Sequence, residues 1–191
     1  MRILGIDPGL RSTGWGVIAC NYGSLRHIAN GAIQPKPTLS DADRLGIIFN
    51  ELDDVITQHK PSQAAIEQIF VSKSAGSALR LGMARGVGLL ACGVNGLAVG
   101  EISARAVKKA VAGTGAADKK QVQHMVARLL AVTAKNADAA DALAIAIAAS
   151  NDAGKLADVG VGSGKGETVS GLSAAITAAL ARDDTSNGSK T

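Results

Sequence analysis

The sequence predicts an α/β fold, a mixed five-stranded sheet flanked by helices, on two observations. Strands come first: three apolar segments within the first 34 of 191 residues are separated only by turn-forming residues. Shorter apolar strands then alternate with helical periodicity up to about residue 149, the order expected of a sheet with helices packed on it.

Ile3, Leu4 and Ile6 mark the first strand, which runs straight into Asp7 and the turn formers Pro8 and Gly9. Residues 14–20 return, so the first twenty residues form a hairpin that presents a carboxylate beside glycine backbone. A third strand, Leu25–Gln34, stops at Pro35 and Pro37. Asp41 is the candidate cap of a first helix, whose apolar stripe is Leu45, Ile48, Leu52, Val55 and Ile56. Ala64–Glu67 is a short buried strand that again ends in a carboxylate. The helix Ser77–Val94 is rich in Gly and Ala, which lets another backbone come close. Leu97–Ile102 is the fifth strand, followed by a short basic helix at 103–111 and an amphipathic one at 118–130 through Val122, Met125, Val126, Leu129 and Leu130. In the last helix, 137–149, Asp138 and Asp141 are at i and i+3, on one face.

The composition changes near residue 151. Residues 1–150 are expected to be the folded domain and 151–191 a flexible C-terminal tail rich in Gly, Ser and Ala. Cys20 and Cys92 form no CxxC pair, and the N-terminus enters a strand directly, which predicts a cytoplasmic protein with free thiols. Apolar stretches such as Val87–Val94 and Ala142–Ala149 are shorter than the roughly 20 residues of a bilayer span, so no membrane role is expected.

Net charge is +4, and its distribution is the informative part. From residue 73 to 135 there are ten cations (Lys73, Arg80, Arg85, Arg105, Lys108, Lys109, Lys119, Lys120, Arg128, Lys135) against two acids, Glu101 and Asp118. A polyanionic partner follows from that imbalance, although any single lysine of the set can simply solvate a helix face.

Asp7, Glu67, Asp138 and Asp141 stand at element ends or among apolar neighbours, where an unpartnered carboxylate costs several kcal/mol or takes up a proton. Taken singly, Asp7 could be a turn-initiating side chain, and Asn136 or Asp138 a helix cap. Taken together beside a basic segment, the four favour a divalent metal site. Hard oxygen ligands suit Mg²⁺ or Mn²⁺, and two ions ~4 Å apart can activate a water and stabilise the leaving oxygen of a phosphodiester.

Several segments in order then resemble one family: Gly5-Ile6-Asp7-Pro8-Gly9 with Thr13-Gly14-Trp15-Gly16, Ile66-Glu67-Gln68-Ile69-Phe70, residues 77–86, residues 122–126, and Ala137-Asp138-Ala139-Ala140-Asp141-Ala142-Leu143-Ala144. They are similar to the crossover junction endodeoxyribonuclease RuvC family, from residue 2 to about 149. The resemblance implies an RNase H-like fold and a homodimer. It also implies that the protein resolves four-way DNA junctions during recombination and repair, by Mg²⁺-dependent cuts in two strands of like polarity. It places the catalytic metal ligands on Asp7, Glu67, Asp138 and Asp141, with Asp7 bridging two ions and Mn²⁺ able to substitute for Mg²⁺. Lys119 corresponds to a lysine near the scissile phosphate, Lys108 to a basic residue of the cleft, and Phe70 to an aromatic at the DNA surface. Lys73, Arg80, Arg85 and Lys120 are the other expected DNA contacts. Association with the RuvA and RuvB branch-migration proteins in a bacterial cytoplasm is implied in the same way.

The chain departs from that pattern in its Ala- and Gly-heavy second half and in Ile102, where tyrosine is expected; smaller side chains bury less apolar area. Phe70 could instead be a core residue in a chain with only four aromatics, Trp15, Tyr22, Phe49 and Phe70. Gly160–Lys165 imitates a phosphate-binding loop, but Val159 and Gly166 occupy positions that need Gly and Ser/Thr, so it is expected to be linker. His27, His59 and His124 lack paired metal spacing, and Glu101 is expected to be a structural acid. Two alternatives remain at this level: an actin-like ATPase, for whose second domain there is little room, and a protein of the same fold that is either an RNase H-like nuclease acting on RNA or a catalytically weak junction binder.

Overall fold

In the computed structural model, residues 1–68 and 74–156 are described. Phe70 and Lys73, the expected tail beyond residue 156 and the Gly160–Lys165 stretch lie outside the described residues.

Strands β1 (Arg2–Asp7), β2 (Thr13–Asn21) and β3 (Ser24–Ile33) form the expected antiparallel meander, with a bulge between Val17 and Ile18. Helix α1 (Asp41–His59) leads to β4 (Gln63–Glu67), and α2 (Ala75–Val94) to β5 (Val99–Ile102). Helices α3 (Ala104–Ala112), α4 (Lys119–Leu130) and α5 (Ala137–Leu156) complete the order. The sheet order is β3-β2-β1-β4-β5, with β4 parallel to β1 and β5 parallel to β4, so the sheet is mixed as expected.

Strand β5 starts at Val99 rather than Leu97 and several ends shift by one residue, while three helix boundaries differ for a physical reason. Ser40, not Asp41, caps α1: its hydroxyl accepts the Asp43 N–H, and Asp41 lies one residue inside, bonded to Arg44. Ser74 caps α2, which therefore starts before Ser77. Helix α5 continues through Asn151 to Leu156, past the polar residues at which its apolar periodicity fades.

One face of the sheet is covered by α1 and α2, whose Ile48, Leu52, Ala84 and Ala91 bury against Leu4, Ile6 and Ile66. On the other face α5 meets Ile3, Ile18 and Ala65, and α3 and α4 pack outside it through Val107, Val111, Val122 and Val126. Glycines on the strands let α5 lie close. A Cβ on Gly5 would collide with the Ala142 carbonyl, one on Gly14 with the Asp138 carbonyl and one on Gly16 with Leu143. Gly5 and Gly16 are cross-strand partners, and Gly14 faces Asp7. The Ala-rich stretch of α5 is the matching surface, with Ala139, Ala142, Ala146 and Ala149 fully buried.

Among the described residues α2 alone has the length and composition of a membrane span. Arg80 and Arg85 lie within it, and each would cost about 2.5–3.5 kcal/mol at a bilayer centre. One side of α2 packs on the core through Ala84, Gly88 and Ala91, while Leu79, Leu90 and Val94 are exposed.

Candidate active site

Asp7 and Glu67 each follow the paired residues Ile6 and Ile66, so they stand side by side at the carboxyl ends of two central parallel strands. Crevices at such strand ends are where open α/β sheets bind ligands. Helix α5 brings the other two acids. Asn136 takes the capping role, its side chain accepting the Ala139 N–H at 2.8 Å, which frees Asp138 to face the site. Carboxylate oxygens of Asp7, Asp138 and Asp141 all lie within 4.8 Å of one another. Glu67 is outside that tight group but lines the same cleft of about 310 Å³ with Asp7, Asp141, Lys108 and Lys119.

Burial is the main reason the Asp7 carboxyl is pushed up to about 7, with Asp141, Glu67 and Asp138 adding repulsion and Lys119 opposing it. Glu67 is raised by burial and then by Asp141, against the pull of Lys119 and Lys108. Asp141 is raised too, because its burial outweighs Lys119. Lys119 opens α4 directly after a capping box in which Asp118 and Gln121 satisfy each other's backbone N–H. Its Nζ reaches Asp141 Oδ2 at 2.6 Å, and that bond raises the Lys119 pKa.

Three half-buried carboxylates held this closely repel one another, and a divalent cation removes the repulsion. The donor set is all oxygen, which fits a hard cation. The site therefore suits divalent metal.

The other expected residues are spread more widely. Lys108, on α3, lines the cleft. Lys120 is exposed next to Lys119. Arg80, on α2, lines a separate groove that also holds Arg11, Ser12 and Asp138, and it lies 4.0 Å from Asp41. Arg85 is drawn away from solvent into a 2.7 Å ion pair with Glu101, which makes Glu101 the structural acid expected of it.

Sequence reasoning missed Ser12 and Thr13. Ser12 Oγ donates to Asp138 Oδ2 at 2.5 Å. Thr13 is fully buried and closes the turn, donating to the Gly9 carbonyl at 2.8 Å and accepting the Gly9 N–H at 3.3 Å. A polar pair inside the first turn was the only available hint.

The mixed β3-β2-β1-β4-β5 sheet with helices on both faces is an RNase H-like α/β fold, and it carries acids at the ends of β1 and β4 with two more on α5. The family model described as crossover junction endodeoxyribonuclease RuvC matches residues 3–149, and the chain belongs to that family. The crossover junction endodeoxyribonuclease RuvC of Caulobacter vibrioides is 52% identical over 151 residues, covering 78% of this chain and 89% of the relative. A solved structure of T. thermophilus RuvC in complex with Holliday junction substrate aligns with a TM-score of 0.73 at 31% identity, over 78% of this chain and 92% of that one. The yeast mitochondrial Holliday junction resolvase Ydc2, at 12% identity and a TM-score of 0.60, shares the fold.

Proposed function

We propose that this chain is a Holliday junction resolvase, an endonuclease that hydrolyses phosphodiester bonds symmetrically in two strands of like polarity at a four-way DNA junction. The observation that carries the reading is the Asp7–Asp138–Asp141 cluster, with Glu67 on the wall of the same cleft, in a chain matched to the family across the whole sheet and α5.

Asp7, Glu67, Asp138 and Asp141 would hold two Mg²⁺ ions, for which Mn²⁺ can substitute. Bound there, the cations supply an activated water and neutralise charge on the leaving oxygen. Lys119, tethered at 2.6 Å from Asp141, places an ammonium over the acidic cluster where it can hydrogen-bond a phosphate oxygen. Lys108 provides a second cation on the cleft wall, and Lys120 and Arg80 extend the positive surface over which DNA arms would lie. Phe70 and Lys73, outside the described residues, complete the interface, with Phe70 stacking on an unpaired base at the crossover.

Paired cuts need two sites related by a twofold axis, so the working form is a homodimer. The exposed Leu79, Leu90 and Val94 on α2 support that helix as the contact. Supply of junctions by the RuvA and RuvB proteins in the cytoplasm completes the proposal.

The test is cleavage of a mobile four-way junction, a linear duplex, a single strand and a structured RNA, each with Mg²⁺ and with EDTA. Metal-dependent paired nicks confined to the junction are expected. Preferred cutting of the RNA would favour the RNA nuclease, and ATP hydrolysis without nicking the ATPase.

A further inference from the structure

Among the described residues, Asp138 is the one acid of the tight cluster whose carboxylate is held by a neutral donor from another element. Asn136 has taken the helix cap, so α5 does not orient the Asp138 side chain. Ser12 does, from the turn after β1, donating to Oδ2 at 2.5 Å across 126 residues of chain. Ser12 is itself supported: Gln34 Nε2, one residue past β3, donates to the Ser12 hydroxyl at 3.4 Å. The turn is clamped by the buried Thr13 through its two bonds to Gly9, and Gly14 beyond it permits close contact with the Asp138 backbone.

We propose that Ser12, backed by Gln34, is a positioning residue that engages one oxygen of Asp138 and so fixes its carboxylate beside Asp7 and Asp141, setting the affinity of the site for a divalent cation. A short acid at the first turn of a helix otherwise samples several rotamers, and binding a cation must then fix it. Ser12 fixes it beforehand. A hydroxyl is well suited to this role, because a neutral donor orders the carboxylate without neutralising it, which a lysine or arginine at that distance would do. The inference rests on the metal-site reading above.

The experiment is calorimetric titration of Mn²⁺ into the full chain without DNA, for wild type, Ser12→Ala, Ser12→Thr, Ser12→Val and Asp138→Asn, with thermal unfolding of each as a check on folding. Ser12→Ala is expected to weaken Mn²⁺ binding about tenfold, the scale seen when a partner of a metal ligand is removed. Ser12→Thr retains the hydroxyl and is expected to bind like wild type. Junction cleavage by Ser12→Ala should recover at saturating Mn²⁺, whereas that of Asp138→Asn should not. If Ser12→Ala does not fold, the Thr and Val variants, matched in shape and differing in the hydroxyl, give the same comparison. Unchanged Mn²⁺ affinity in Ser12→Ala or Ser12→Val, with Asp138→Asn weakened, overturns the positioning role and leaves the metal site standing. Unchanged affinity in Asp138→Asn as well overturns both.

Discussion

Lys119 Nζ lies 2.6 Å from Asp141 Oδ2, so the first residue of α4 is tied to the first turns of α5 at the point where the basic surface meets the acidic cluster. That tether sets Lys119 apart from Lys120 beside it, which is exposed. At saturating protein, Lys119→Ala is expected to cleave a junction about a hundredfold more slowly than wild type while its binding changes little, roughly the loss expected when a donor to developing charge is removed. Single-turnover rates beside a binding titration check this. A wild-type rate at saturation would reduce Lys119 to an ordinary phosphate contact.

Lys108 and Lys120 should behave as such contacts. Each phosphate they neutralise contributes about 0.9 to the slope of log affinity against log salt on duplex arms. Lys108→Ala and Lys120→Ala are therefore expected to weaken binding on every junction sequence and to flatten that slope. Salt titrations by fluorescence anisotropy would show it.

Asp7 makes the metal-free protein sensitive to pH. Its carboxyl has an ordinary value of 3.8 and stands at about 7 in the fold. Between those values the folded state holds more protons than the unfolded state, so stability falls as pH rises from 3.8 to about 7 and stays low above that. Glu67 and Asp141 are raised as well and steepen the fall. In EDTA at pH 8, Asp7→Asn should be more stable than wild type by on the order of 1–3 kcal/mol, and the gap should close toward pH 4. Urea unfolding at both pH values measures it.

The glycines under α5 predict a contrast between two equally small substitutions. Gly14→Ala would drive a Cβ into the Asp138 backbone, displacing the start of α5 and costing about 1–3 kcal/mol as well as cleavage. Gly46→Ala, exposed inside α1 with open space around it, should stabilise by about 0.5–1 kcal/mol and leave cleavage alone. Thermal unfolding and junction cleavage on both variants distinguish a site-building glycine from an idle one.

The parts of this fold that were legible in the sequence rest on local signals. Ile3–Ile6 running into Asp7, Ala64–Glu67 ending in an acid, and the i, i+3 spacing of Asp138 and Asp141 all depend on strand or helix periodicity. The structure puts Asp7, Glu67 and Asp141 around one cleft and brings Asp138 against Asp7 and Asp141 at its edge. What was not legible depends on packing. Ser40 and Asp41 can both cap a helix, and only backbone geometry chooses Ser40. Arg85 counts as an available cation until the fold brings it within reach of Glu101 on β5, which claims it. Ser12 and Asp138 are 126 residues apart, and nothing local joins them. The Gly and Ala content that suggested a thin core is, in α5, the complement of Gly5, Gly14 and Gly16.

The proposed homodimer has its own test. Leu90 is exposed on the outer face of α2, and Leu90→Glu would set like charges against each other across a twofold axis. Sedimentation at micromolar concentration should find wild type as a dimer and Leu90→Glu as a monomer that no longer makes paired cuts. A monomeric wild type that still made paired cuts would rule out α2 as the contact.

The metal-dependent carboxylate centre is tested most directly by Asp7→Asn on a mobile four-way junction, with binding and single-turnover cleavage measured on the same preparation in Mg²⁺. The expected result is junction affinity close to wild type, because the cationic surface is untouched, together with loss of cleavage. Cleavage by Asp7→Asn at or near the wild-type rate in Mg²⁺ would contradict the assignment of Asp7 as the central metal ligand.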